Sequence, residues 1–185
     1  DNNLVYLSCG FGIVVLDLDR EEVKDTYFIG ELGAQVNVLS TCIAHNRIYA
    51  ATNKGLYMAD TSHPNLANYQ AWEKLSAHSL SRVDLLESFN GLLFVNLQGE
   101  EYNTDTLYHF DGNNWVVFEQ ESSNVSIKAS SQKLVLTRRF GISVYNQELN
   151  STHYLSSGEF NLDKIDFNSA IFTDEDEFWI ADKYN

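Results

Sequence analysis

The chain repeats itself. Four short apolar segments share one pattern: Val5-Tyr6-Leu7-Ser8-Cys9, Ile48-Tyr49-Ala50-Ala51-Thr52, Leu134-Val135-Leu136-Thr137-Arg138 and Phe178-Trp179-Ile180-Ala181-Asp182. In the first three, a turn containing Gly12, Gly55 or Gly141 follows, and then a second strand. These glycines stand 43 and 86 residues apart, which is one period and two. Leu93-Phe94-Val95-Asn96-Leu97 fills the gap, and there the turn expands into a loop from Gln98 to Asp105. Self-similarity at a fixed period marks a stacked repeat, and roughly 40–50 residues is the size of one β-propeller blade. A four-stranded sheet cannot bury both its faces alone, whereas sheets stacked around an axis can. An immunoglobulin-type sandwich has equally short strands but predicts no such recurrence.

Each unit reads as strands A to D joined by short turns, so that neighbours pair antiparallel. In the second unit these are 35–44, 48–52, 56–60 and 70–75, with a tight turn at His45-Asn46-Arg47 between A and B. In the third, Asn90-Gly91 is a hairpin signal and Asp111-Gly112-Asn113-Asn114 a second turn. Leu66, Tyr69, Trp72 and Leu75 also fall at helical spacing after Pro64, so a helix over 64–80 competes with a loop followed by strand D, the reading the repeat favours. The expectation is an all-β chain: a β-propeller of four-stranded antiparallel blades, about four blades plus partial first and last units. Residues 1–185 form a single partial domain with blades at roughly 4–30, 35–76, 82–119 and 125–156 and an incomplete unit at 165–185. The first unit lacks strand A and the last stops after strand B. This predicts a natural protein that continues, with a strand from its far C-terminus closing the ring.

The formal charge of −14, from 26 acidic residues against 12 Lys and Arg, disfavours nucleic acid and anionic membrane surfaces as partners. No apolar run approaches the roughly 20 residues of a bilayer span, and no signal-peptide pattern opens the chain. Cys9 and Cys42 lie in apolar strand patterns with no metal-ligand spacing and read as buried free thiols. The nucleophile elbow, zincin, phosphate-loop and dinucleotide motifs are missing, and the five histidines are scattered. No catalytic residue, metal or cofactor is expected. The run Asp174-Glu175-Asp176-Glu177 reads as a solvated hairpin turn. In a propeller the B–C and D–A connections share a rim. Here the B–C turns carry Phe11, Lys54 and the pair Arg138-Arg139. Guanidinium forks suit carboxylates or phosphates, so these four residues are the candidate binding residues.

The stretch Tyr6-Leu7-Ser8-Cys9-Gly10-Phe11-Gly12-Ile13-Val14-Val15-Leu16-Asp17-Leu18-Asp19 resembles the opening of the first propeller in PorZ-like proteins of the Bacteroidetes. Phe28-Ile29-Gly30-Glu31-Leu32-Gly33 and Ile48-Tyr49-Ala50-Ala51-Thr52-Asn53-Lys54-Gly55-Leu56-Tyr57 are similar to the same family. The resemblance implies an exported, non-enzymatic protein with two propellers and a C-terminal β-sandwich. It also implies a place in the type IX secretion system, in the surface complex that attaches cargo to anionic lipopolysaccharide. Other secretion-complex proteins would be its partners, at the periplasm or the outer-membrane surface. In that context Asp105-Thr106-Leu107 matches the phylum's O-glycosylation pattern. A second stretch, Ile171-Phe172-Thr173-Asp174-Glu175-Asp176-Glu177-Phe178-Trp179-Ile180-Ala181, is similar to two-component-regulator propellers, which implies a periplasmic glycan sensor of a hybrid histidine kinase.

Overall fold

The computed structural model describes residues 3–75, 82–101, 104–156, 166–173 and 177–183. Successive strands form successive antiparallel meanders. The first has three strands, β1 (Leu4–Cys9), β2 (Gly12–Asp17) and β3 (Glu22–Tyr27). Four-stranded sheets follow: β4 (Val38–Ala44), β5 (Arg47–Thr52), β6 (Gly55–Asp60) and β7 (Glu73–Lys74); then β8 (Val83–Phe89), β9 (Leu92–Leu97), β10 (Asp105–Phe110) and β11 (Trp115–Ser122); then β12 (Asn124–Ala129), β13 (Leu134–Arg138), β14 (Gly141–Tyr145) and β15 (Ser151–Ser156). The last sheet pairs β16 (Phe167–Phe172) with β17 (Phe178–Asp182). This is the architecture of β-propeller blades, and the first sheet begins at strand B as its sequence implies. The chain divides into two compact units, Asp1–Leu86 and Glu87–Asn185.

Burial falls from strand B to strand D. β5 is buried from Ile48 to Thr52 and β13 from Leu134 to Thr137, whereas β15 is exposed from Ser151 to Tyr154. A strand covered on both faces reads as a continuous apolar run, which is why the B strands dominate the repeat signal. In the first unit Ile13, Val15 and Tyr27 of one sheet meet Val38, Ile48, Ala50 and Ala59 of the next. In the second unit Val135, Ile142 and Val144 pack with Phe167 and Ala170. Each fully buried aliphatic side chain contributes about 1.5–3 kcal/mol.

Turn chemistry fixes the hairpins. His45 and Asn46 (φ 50° and 58°) and Asn90 and Gly91 (φ 48° and 75°) form two-residue loops with positive φ at both positions, matching the right-handed strand twist. At Asp111 the carboxylate accepts the Asn113 and Asn114 amides at 2.8 and 2.7 Å. Gly12 has φ 151°, and a Cβ there would lie 2.1 Å from the Tyr27 carbonyl oxygen. Gly12 is therefore required by the approach of β2 to β3.

A second repeated element is a bulge. Leu39, Val125 and Asn168 are extra residues near the start of strand A in three sheets, and each precedes a serine: Ser40, Ser126, Ser169. These serines are spaced 86 and 43 residues apart, the same period as the glycines. They tie one blade's inner strand to the next. Ser126 Oγ lies 3.0 Å from Ser169 Oγ, and Ser40 Oγ accepts the Leu86 amide at 3.3 Å.

Two expectations need correction. Strand D of the second sheet is only Glu73–Lys74, and residues 64–75 hold no α-helix. A 3-10 turn at Tyr69–Ala71, capped by the Asn68 side chain, brings Trp72 into the core. The indole donates to the Leu66 carbonyl at 2.9 Å and its ring lies 6.1 Å from Tyr27. Folding the loop back on itself lets Leu66 and Trp72 share one core without helical geometry. Residues 76–80 of the competing helix lie outside the described residues, as do Asp174 to Asp176 of the acidic run. Cys9 and Cys42 form no disulfide and are half-buried rather than buried, because β1 and β4 each expose part of one face.

Candidate functional site

The B–C hairpins carry the candidate residues, two turns in the first unit and one in the second. Cys9 pairs with Gly12, Thr52 with Gly55 and Arg138 with Gly141, so each turn has two residues: Gly10-Phe11, Asn53-Lys54 and Arg139-Phe140. In the first unit Phe11 is exposed, its ring 6.1 Å from that of Phe28. Lys54 is exposed as well. The turn beneath it is fixed from inside, since Thr52 Oγ1 donates to the Gly55 carbonyl at 2.7 Å and accepts the Lys54 amide at 3.0 Å. In the second unit the residue at the corresponding position is Phe140, also exposed. Sequence reasoning passed over it, although it precedes a repeat glycine as Phe11 and Lys54 do.

The two arginines part company. Register places Arg138 at the end of β13, not in the turn. Its guanidinium donates to the Glu119 carboxylate on β11 and, at 2.9 Å, to Ser143 Oγ on β14. Only 16% of its side chain is exposed, against 45% for Arg139. Arg139 bonds Asp166 through Nε at 3.2 Å and lies against the Phe140 ring. Arg138 thus braces three strands, while Arg139 keeps a substantial exposed surface.

Beside Arg139 the long B–C loop is anchored by Asp105. Its Oδ1 accepts the Gly99 amide at 3.0 Å, and its Oδ2 accepts Asn96 Nδ2 at 3.2 Å and the Asn124 amide at 3.1 Å. Asn124 Nδ2 in turn donates to Asn96 Oδ1 and Ser122 Oγ at 3.0 and 2.9 Å. Such a buried network rigidifies the strand ends that carry the rim. Asp105 and Leu107 are buried within β10, and Thr106 between them is half-buried. Two hollows flank this region. One of about 210 Å³ includes Gln98, Glu101, Asn124 and Arg139; the other, of about 360 Å³, includes Glu119, Arg138, Ser143 and Tyr154. Among the described residues no three His, Cys, Asp or Glu side chains form a group able to hold a metal ion. His109 sits among Phe94 and Phe118, and burial lowers its pKa, which favours the neutral ring.

The fold is that of a β-propeller module, and its B–C turns display Phe11, Lys54, Arg139 and Phe140. Residues 1–73 match the family described as the PorZ N-terminal β-propeller domain of the type IX secretion system, and the resemblance read from the sequence holds there. Among solved structures the chain is similar to PorZ of Porphyromonas gingivalis, a bacterial surface component of that system (17% identity, TM-score 0.71, covering 97% of this chain and 22% of that one). It is also similar to the extracellular domain of the putative hybrid two-component system BT3049 of Bacteroides thetaiotaomicron (14% identity, TM-score 0.64, 97% and 24%). A third similar structure is the gluconolactonase XC5397 of Xanthomonas campestris (10% identity, TM-score 0.60, 97% and 65%). At these identities the likeness is one of fold, and the fold hosts both enzymes and binding proteins. The chain spans about a fifth of the PorZ structure's length (22%). No curated protein matches it in sequence.

Proposed function

We propose that this chain is a non-enzymatic propeller segment of a type IX secretion system surface complex, located outside the cytoplasm. There its B–C rim engages other proteins of the complex or anionic lipopolysaccharide. The match of residues 1–73 to the PorZ N-terminal propeller carries this reading. The exposed turn residues support it. Phe11, Lys54 and Arg139 offer exposed apolar and cationic groups on short hairpins, and Arg138 links β13 to β11 and β14. On a chain of net charge −14, exposed cations at the turns are the features best able to meet an acidic partner. No helix of the described residues is long and apolar enough to cross a membrane.

The test is chemical cross-linking of the native protein on intact cells, with partners identified by mass spectrometry. Secretion-complex subunits should be recovered, and their yield should fall with the Phe11→Ala, Lys54→Glu, Arg139→Glu triple variant. Recovery of a contiguous membrane span and kinase domain instead would replace this reading with a glycan-sensing receptor, the second reading prompted by the likeness to BT3049.

A further inference from the structure

We propose that the hollow lined by β11, Arg138 of β13, β14 and the face of β15 binds a neutral pyranose sugar. Its volume of about 360 Å³ falls within the roughly 300–1,000 Å³ typical of small-molecule sites. Its walls include Glu119, Glu121, Arg138, Ser143, Tyr145 and Tyr154. The inference rests on the reading of this chain as a binding module and names a ligand for a second site of that module.

The chemistry of the walls selects the ligand. Arg138 already supplies the counter-charge of Glu119, so a second cation in the hollow would meet a guanidinium. Two carboxylates against one guanidinium, in a chain of charge −14, likewise disfavour an anion. What remains is a mixed set of neutral-ligand partners. The Glu119 and Glu121 carboxylates accept hydrogen bonds. Ser143 accepts from Arg138 at 2.9 Å and so keeps its own proton to donate. A polyhydroxylated ligand, which donates and accepts at each carbon, matches such a set.

The aromatic wall points the same way. Tyr154 is 60% exposed, yet its ring is seated: a Cβ at Gly141 would lie 2.6 Å from its hydroxyl and 3.0 Å from Cζ. Glycine at 141 is what lets the phenol lie against the backbone. The negative ring face attracts the positively polarised C–H groups of a pyranose, and a ring already held in place loses little freedom on binding. Tyr145 is fixed by an edge contact to Phe118, with centroids 5.1 Å apart. Glu121 reaches the hollow because a bulge sets Gln120 and Glu121 opposite Thr106, with Glu121 at φ 55°. An uncommon backbone conformation at a polar residue on a pocket wall suits a functional position better than a packing one.

The experiment is an NMR titration of the full 185-residue chain with methyl β-D-glucopyranoside, methyl α-D-mannopyranoside, methyl β-D-galactopyranoside and methyl β-D-glucuronide, following the Tyr154 ring signals. At least one neutral glycoside should shift them, with the glucuronide binding about threefold or more weakly because of the carboxylates. Tyr154→Ala should lower affinity about tenfold or more at unchanged Tm, and Tyr154→Phe should stay within about threefold, since stacking survives. Silence of Tyr154 towards all four probes overturns the inference. So does binding that survives Tyr154→Ala, or tighter binding of the glucuronide. If sugar binding is missing while cross-linking through Phe11, Lys54 and Arg139 persists, the sugar site falls and the module reading stands. If the sugar binds and the cross-links do not form, the reverse holds.

Discussion

Gly12 shows how much a single position carries. With φ 151° and the Tyr27 carbonyl where a Cβ would sit, Gly12→Ala should lose about 1–3 kcal/mol in urea denaturation, through strain and forced separation of β2 and β3. Arg138→Ala strips Glu119 and Ser143 of their shared donor and should cost about 1.5–3 kcal/mol. Much of that loss should return in the Arg138→Ala, Glu119→Gln double variant, because the orphaned charge is then gone. At Glu87 burial raises the carboxyl pKa, and the Ser88 amide and Lys128 offset this only in part. A folded-state pKa above the unfolded one means that the ionised group opposes folding. The cost is absent below the unfolded value and grows as pH rises through the folded one. Glu87→Gln should therefore raise Tm at pH 7, with the gain shrinking as pH falls towards about 4.3, the free glutamate value, and gone below it; an unchanged gain across that range would refute it.

The blades were legible because their strongest elements are the most buried. Strand B runs apolar without a break, and a glycine follows at the point where strand D presses on strand C. Strand D was less legible. In β7 the ladder shrinks to two residues because the core takes Trp72 from a folded loop, and no local pattern announces that. The brace at Arg138 was hidden for a related reason. Glu119 lies on an outer strand, and the β10–β11 register around it is shifted by the bulge, so alternation along β11 does not reveal what it faces. The serine stitches stood at the repeat period in plain view, but an apolar pattern search passes over serine. Ser126→Ala should cost about 1 kcal/mol, and so should Ser169→Ala. The double variant should cost less than the sum if the hydroxyls bond each other, and a double-mutant cycle by denaturation measures that coupling.

At the scale of the whole chain, acidity and exposed apolar surface act against each other. The β16–β17 sheet presents Ile171, Trp179 and Ile180, with Trp179 63% exposed. Apolar side chains on a short terminal sheet favour pairing between copies, while a charge of −14 resists it. Sedimentation velocity should show self-association of this 185-residue chain that strengthens with salt, as screening removes the repulsion, and weakens with Trp179→Ser. A monomer at every ionic strength would contradict this. The paired hairpin positions have a consequence of another kind. After each two-residue B–C turn a glycine opens strand C, with φ 151° at Gly12 and 117° at Gly55, and the residue before it is exposed: Phe11, Lys54 or Phe140. Because the glycine and the exposed residue rest on separate codons, the exposed side chain can change in one blade while the glycine beside it stays. The same separation would let a randomised library at these three sites be built on an unaltered scaffold.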